Sequence, residues 1–233
     1  FGDESRAFIG DKGASSAFNK SDLLQLFFKI KPFVFYIGES LASPDIDRNL
    51  PEILQFAKSS GCITVVDYIV YESLDKNQFF RCGPHTDFLH LNEYEARIIT
   101  GSENIGNAAL FMREKGFPMV AISDGAKGFV LSYNNKLFHF PSYTVSCIDA
   151  TGAGDAFCSG LIFTLLNTGC IPHNQEQVIE MALFASACGA CAVTETGCTA
   201  GVLLEKVWNL ICSQGAWVRE NIRSEQITTL LSV

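Results

Sequence analysis

The sequence predicts an α/β fold with a mainly parallel sheet flanked by helices. Short apolar runs of strand length alternate with segments of helical periodicity, which is the pattern of strands joined by crossover helices. A glycine-rich turn at 152–154 then opens onto a purely helical region. Residues 33–37 form the first apolar run and end at Gly38. A helix is expected over 47–60, where Leu50, Ile53, Leu54 and Ala57 share one face, and Gly61 ends it. Strands follow at 62–67 and 87–91, then helices from Glu93 and over 104–115, the second stopped by Gly116. Residues 119–123 read as a fourth strand. Residues 129–133 and 137–140 flank Asn134-Asn135 and read as a hairpin. Helices are expected over 154–166, 175–193 and 203–212. The polar stretch 5–16 suits a strand pair or flap. Residues 214–233 have weak periodicity and suggest a C-terminal extension beyond a domain ending at 212.

Bulk composition narrows the function. Hydrophobic residues make up 48% and charged residues 18%, which fits a globular chain with a sizeable core. No apolar window of about 18 residues reads as a membrane span. The first residues lack both Met and the order of a secretory signal, so the expectation is a processed, truncated or partial chain. A net charge of −8 with scattered Lys and Arg argues against nucleic acid and membrane partners. Nine cysteines, odd in number and irregularly spaced, predict reduced thiols and a cytoplasmic location. Cys188-Gly-Ala-Cys191 lies in a small-residue helical run and reads as helix packing rather than a redox or metal pair. His85, His90, His139 and His173 form no paired motif, so no zinc site is expected. Ser40, Ser159 and Ser186 lack a nucleophile-elbow context, which disfavours a hydrolase.

The most informative segment is Asp149-Ala-Thr-Gly-Ala-Gly-Asp155-Ala-Phe157. The first N–H groups of a helix have no internal partners, and the helix dipole makes that end positive. Gly152, Ala153 and Gly154 carry little bulk, so an anion could approach the backbone closely. Asp155 beside them could take a proton from an attacking hydroxyl. The competing reading is a helix cap, a common use of Asp.

This string is similar to the C-terminal signature of the ribokinase-like (PfkB) carbohydrate kinase family, and the resemblance extends over nearly the whole chain to about Cys212. It implies a ribokinase-like fold with a small β lid, partly missing here. It implies phosphoryl transfer from ATP to a hydroxyl of a small sugar, with Gly152, Ala153 and Gly154 as the anion hole and Asp155 as general base. Asn92-Glu93-Tyr94-Glu95 resembles the family's N-x-x-E motif, so Asn92 and Glu95 would act on Mg²⁺ through water; alone, the tetrapeptide is an ordinary helix start. Ser123-Asp-Gly-Ala-Lys-Gly128 resembles the nucleotide loop, which assigns Ser123, Gly125, Lys127 and Gly128 to ATP, against a plain glycine turn. The helix with Ser186 resembles the one beside the adenine, though its small residues suit helix packing equally. Asp149 and Gly197 fall where many members hold K⁺.

Ser5-Arg6-Ala-Phe-Ile9 resembles a lid segment, with Arg6 toward the sugar or simply exposed; residues 1–20 would be a lid remnant, and a homodimer would form through that lid. The chain departs from the family in lacking its first βα units, so poor solubility or loss of sugar binding is expected of these residues alone. After Asp67 it reads Tyr-Ile-Val-Tyr-Glu72, without the Asn and Arg of the branches acting on fructose or 2-keto-3-deoxygluconate. Thr196-Gly-Cys-Thr199 resembles a nucleoside-kinase branch, the alternative substrate class. An inactive nucleotide- or sugar-binding member is the non-enzyme alternative.

Overall fold

The computed structural model describes residues 13–38, 43–69 and 74–227. After a 3-10 turn at Gly13–Ala17, the elements are α1 (Lys20–Ile30), β1 (Val34–Ile37), α2 (Pro44–Arg48), α3 (Leu50–Ser59), β2 (Ile63–Asp67), α4 (Lys76–Phe80), β3 (Phe88–Asn92), α5 (Glu93–Thr100) and α6 (Ile105–Glu114). They continue with β4 (Met119–Ser123), β5 (Phe129–Tyr133), β6 (Lys136–Phe140), α7 (Ala153–Thr168), α8 (Gln175–Ala192), α9 (Leu204–Glu220) and β7 (Arg223–Gln226). The seven strands lie side by side in chain order. β1 to β4 are parallel, each joined to the next by helices, and β4 to β7 are antiparallel.

Alternation along the strands divides the core into two layers. Val65, Phe88, Met119, Ala121, Phe129 and Leu131 face α7, α8 and α9. Val66, Leu89, Leu91, Val120, Ile122 and Val130 face α3, α5 and α6. Both faces of β2, β3 and β4 are therefore buried, and the three strands are mostly apolar, with His90 the buried polar residue of β3. The expected α/β fold is the observed one. Among the described residues, no helix is long and apolar enough to cross a membrane.

Local chemistry sets the helix boundaries. Asn19, Asn92, Asn104 and Asn174 cap α1, α5, α6 and α8 by accepting a backbone N–H. Gly101 and Gly169 end α5 and α7 in the left-handed conformation. Asn134 takes a φ of 50° in the two-residue turn between β5 and β6.

The structure departs from the sequence expectations at four places. The helix expected over 47–60 is split at Asn49, because Pro44 and Pro51 each start a new helix. α1 and α4 were not expected. The helix expected to end at Cys212 runs on to Glu220, because Val218 is fully buried and packs in the core. Residues 223–226 then pair with β6, so a boundary at 212 falls inside α9. Residues 5–9, with Arg6, and Ser40 and Val70 to Glu72 lie outside the described residues; the described end of the expected lid remnant is a 3-10 turn at Gly13–Ala17 leading to α1, not a strand.

Candidate active site

α7 begins with Gly152 as its cap, at φ 79° and ψ 5°, and no side chain caps this end. A side chain at Gly152 would be strained by that φ and would lie 2.6 Å from Cβ of Cys198. Asp155 is in the first helical turn, exposed, and is not the cap. The positive end of α7 is thus left to the solvent with a carboxylate beside it. Partial burial, and then the negative charge of Asp67, lift the Asp155 carboxyl above the ordinary range, while His90 pulls the other way. A carboxyl raised in this way is a better proton acceptor once ionised.

Beneath the loop lies a cluster that the motifs did not indicate. Asp67, the last residue of β2, is the register partner of His90 in the middle of β3. Nδ1 of His90 lies 2.7 Å from Oδ1 of Asp67, and Nε2 lies 3.2 Å from Oγ of Ser123. The Tyr36 hydroxyl donates to Asp67 at 3.2 Å. The His90 ring stacks on Phe157 of α7 at 5.0 Å. Cys158, fully buried one residue further on, completes a trio with Asp67 and His90 whose donor atoms lie within 4.8 Å of one another. Burial penalises the His90 charge, yet Asp67, and further off Glu95 and Asp155, outweigh it and raise the imidazole. Burial also opposes the Asp67 charge, but His90 more than offsets it and holds that carboxyl low. The trio is a satisfied ion pair with a thiol beside it.

The matching family model is "pfkB family carbohydrate kinase", over residues 2–205. The chain belongs to the pfkB family. A fructokinase of Escherichia coli is 37% identical over 112 residues, which is 48% of this chain and 36% of that protein. An aminoimidazole riboside kinase of Salmonella typhimurium is 40% identical over 99 residues, 42% of this chain and 30% of that protein. In structure, the chain resembles aminoimidazole riboside kinase from Salmonella enterica complexed with aminoimidazole riboside and an ATP analogue, with TM-score 0.68 and 26% identity over 76% of this chain and 62% of that one. The matched stretches thus span about a third of these curated relatives' length.

Within this pfkB chain, the other expected residues separate into two groups. Asn92 and Ser123 are register partners, so the N-x-x-E turn and the nucleotide-loop segment stand side by side at the ends of β3 and β4. Asn92 and Glu95 form a full capping box: Asn92 Oδ1 accepts from the Glu95 N–H at 2.8 Å, and Glu95 Oε2 accepts from the Asn92 N–H at 2.9 Å. Asp149 joins two loops, its carboxylate accepting from Thr151 N–H at 3.0 Å and Gly197 N–H at 3.1 Å.

Among the remaining residues, Gly128 and Lys127 have structural contacts. Gly128 has φ 97°, and a Cβ there would stand 2.0 Å from the Phe140 carbonyl oxygen, so glycine is required by the approach of β6. Lys127 is exposed and pairs with Asp124 at 3.1 Å. Gly125 has φ 51° with open space above it. Ser186 is half-buried in α8, whose Cys188 and Cys191 are buried free thiols.

Sequence reading missed Asp67, His90 and Cys158. They come from three separate elements, and only strand register and helix packing bring them together.

Proposed function

We propose that this chain carries the nucleotide and catalytic half of a sugar kinase that transfers the γ-phosphoryl group of ATP to an acceptor hydroxyl. The observation that carries the reading is the uncapped N-terminus of α7, with a raised carboxyl in its first turn, beside the ends of the parallel strands. Family membership supports the same assignment. The Gly152, Ala153 and Gly154 N–H groups would hold charge developing on the transferring group. Asp155 would take the proton from the acceptor oxygen. Ser123 and Gly125 are assigned to the triphosphate. Lys127, Gly128 and Ser186 are assigned as secondary contacts of the nucleotide. Arg6 is assigned toward the sugar.

Mg²⁺ is assigned to Asn92 and Glu95 through water. Their side chains offer oxygen donors of the kind this ion accepts, and a carboxylate already accepting one N–H retains further lone pairs. When bound, the ion would neutralise phosphate charge. A K⁺ ion beside Asp149 and Gly197 rests on family resemblance. The Asp149 carboxylate accepts two N–H groups, and carbonyl oxygens of its loop would supply ligands. The chain would act in the cytoplasm on a small molecule, with a homodimer through the lid segment.

A riboside acceptor is the second reading, favoured by the aminoimidazole riboside kinase relative. The deciding experiment measures ADP release from Mg·ATP by the full-length protein that carries this chain, with fructose, other sugars, aminoimidazole riboside and adenosine. Asp155→Asn should lower kcat by about 10²- to 10⁴-fold. The acid limb of the wild-type rate profile should lie above the ordinary carboxylate range, because the base must be ionised and its proton is held more tightly. A variant with undiminished turnover would remove Asp155 from the mechanism. Mg·ATP binding without turnover on any acceptor would make the chain a binding module.

A further inference from the structure

The Asp67–His90 pair is an expensive feature for so small a task as filling space. A buried ion pair loses hydration that its own attraction only partly restores, and an apolar pair of similar volume is often as stable. An aromatic residue could stack on Phe157 as well as His90 does. What it could not do is reach three loops at once. The imidazole is 2% exposed and hydrogen-bonds Asp67 on one side and Ser123 on the other. The edge of its ring supports the catalytic loop from below: a Cβ on Gly154 would lie 3.2 Å from Cε1 of His90.

The ring thus spans from the nucleotide loop, through Ser123, to the start of α7, through Gly154. Asp67 fixes the ring in turn and is itself held by Tyr36 from β1, with the Cys158 thiol of α7 nearby. The groups around the ring are the ionisable Asp67, Cys158, Glu95 and Asp155 and the neutral Ser123 hydroxyl. Of these, Asp67 and Ser123 hydrogen-bond it directly.

We propose that His90, oriented by Asp67, is a positioning residue that fixes the distance between the Ser123 loop and the Gly152–Asp155 loop. It touches neither phosphate nor acceptor. It sets how far the anion-binding N–H groups and the base stand from a triphosphate held at Ser123, the geometry on which in-line transfer depends. The inference rests on the phosphotransfer reading and deepens it.

The test uses the full-length protein that carries this chain, with three variants: Asp67→Asn, His90→Gln and the two together. Each is assayed with Mg·ATP and whichever acceptor supports wild-type turnover, and its denaturant midpoint is measured alongside. Each single change should lower kcat by about 10- to 100-fold, the scale of a displacement near 1 Å. KM for ATP should move by less than about threefold, because ground-state binding is retained. The double variant should be no slower than His90→Gln alone, since Asp67 acts only through the ring. It also removes both charges, so it should fold where a single change leaves Asp67 buried without its cation. Wild-type kcat in the folded double variant would overturn the inference. So would losses that multiply between the two sites, or a loss that follows only the fraction folded. Absence of wild-type turnover would instead sink the kinase reading and this inference with it; active wild type with unaffected variants sinks the inference alone.

Discussion

Glu95 shows one side chain set to two tasks. Its carboxylate closes the capping box of α5, and the proposed function also gives it a water-bridged metal. Substitution can separate these. Gln is accepted in a capping box, so Glu95→Gln should leave the urea midpoint near wild type and raise the Mg²⁺ concentration needed for half-maximal turnover. Glu95→Ala should raise that requirement and also cost about 1 kcal/mol of stability, the scale of a lost cap. Identical Mg²⁺ curves for all three proteins would confine Glu95 to the cap. The sequence could not separate the tasks, because the same four letters serve both. It did identify the position, since the Asn and Glu of the box are local.

At the scale of elements, the contact between α7 and α8 decides how a small-residue helix is used. Gly160 faces α8 so closely that a Cβ there would lie 2.8 Å from Sγ of Cys188 and 2.9 Å from Cα of Ala185. Gly189 faces back, with the Ala153 carbonyl oxygen 3.1 Å from where its Cβ would stand. Small residues in α8 therefore hold the start of α7 in place, which ties helix packing to the Gly152–Asp155 turn. Gly160→Ala sets two effects against each other. Helix propensity favours Ala by up to about 1 kcal/mol, whereas overpacking costs about 1–3 kcal/mol. The backbone of Ala185 cannot swing aside as a side-chain tip could, so overpacking should win. A lower urea midpoint than wild type is the expected result; an equal or higher one would mean that α8 shifts freely. The sequence showed the small-residue run but not its partner, which lies on another helix.

For the whole molecule, the C-terminal residues join both layers of the fold. Val218 is fully buried in the core, Arg219 pairs with Glu176 and Glu180 of α8, and β7 covers β6. The exposed Arg219 pairs are worth little by themselves, at most about 1 kcal/mol. Burial of Val218 and strand pairing carry more weight. A chain ending at Cys212 should therefore unfold at a markedly lower denaturant concentration, by at least about 2 kcal/mol, the scale of removing a core aliphatic side chain. An unchanged midpoint would show that residues 213–233 are an appendage. The weak periodicity there concealed the helix, since Gly215 lowers helix propensity and only tertiary packing restores the balance.

The sequence alone determined what depends on neighbours along the chain. Alternating strand and helix periods gave the α/β class, because burial on a sheet face or helix stripe repeats every two or every 3.6 residues. The turn at Gly152 was readable because a left-handed cap and close backbone approach both demand glycine. The placement of Asp155 in the first helical turn followed from the same string. Tertiary structure decided what depends on register and packing. Asp67 meets His90, and Asn92 meets Ser123, only because parallel strands align those positions. Cys158 joins them because α7 crosses the same strands. No local pattern encodes such meetings, since each partner is an ordinary residue within its own segment and gains its contacts only beside the others.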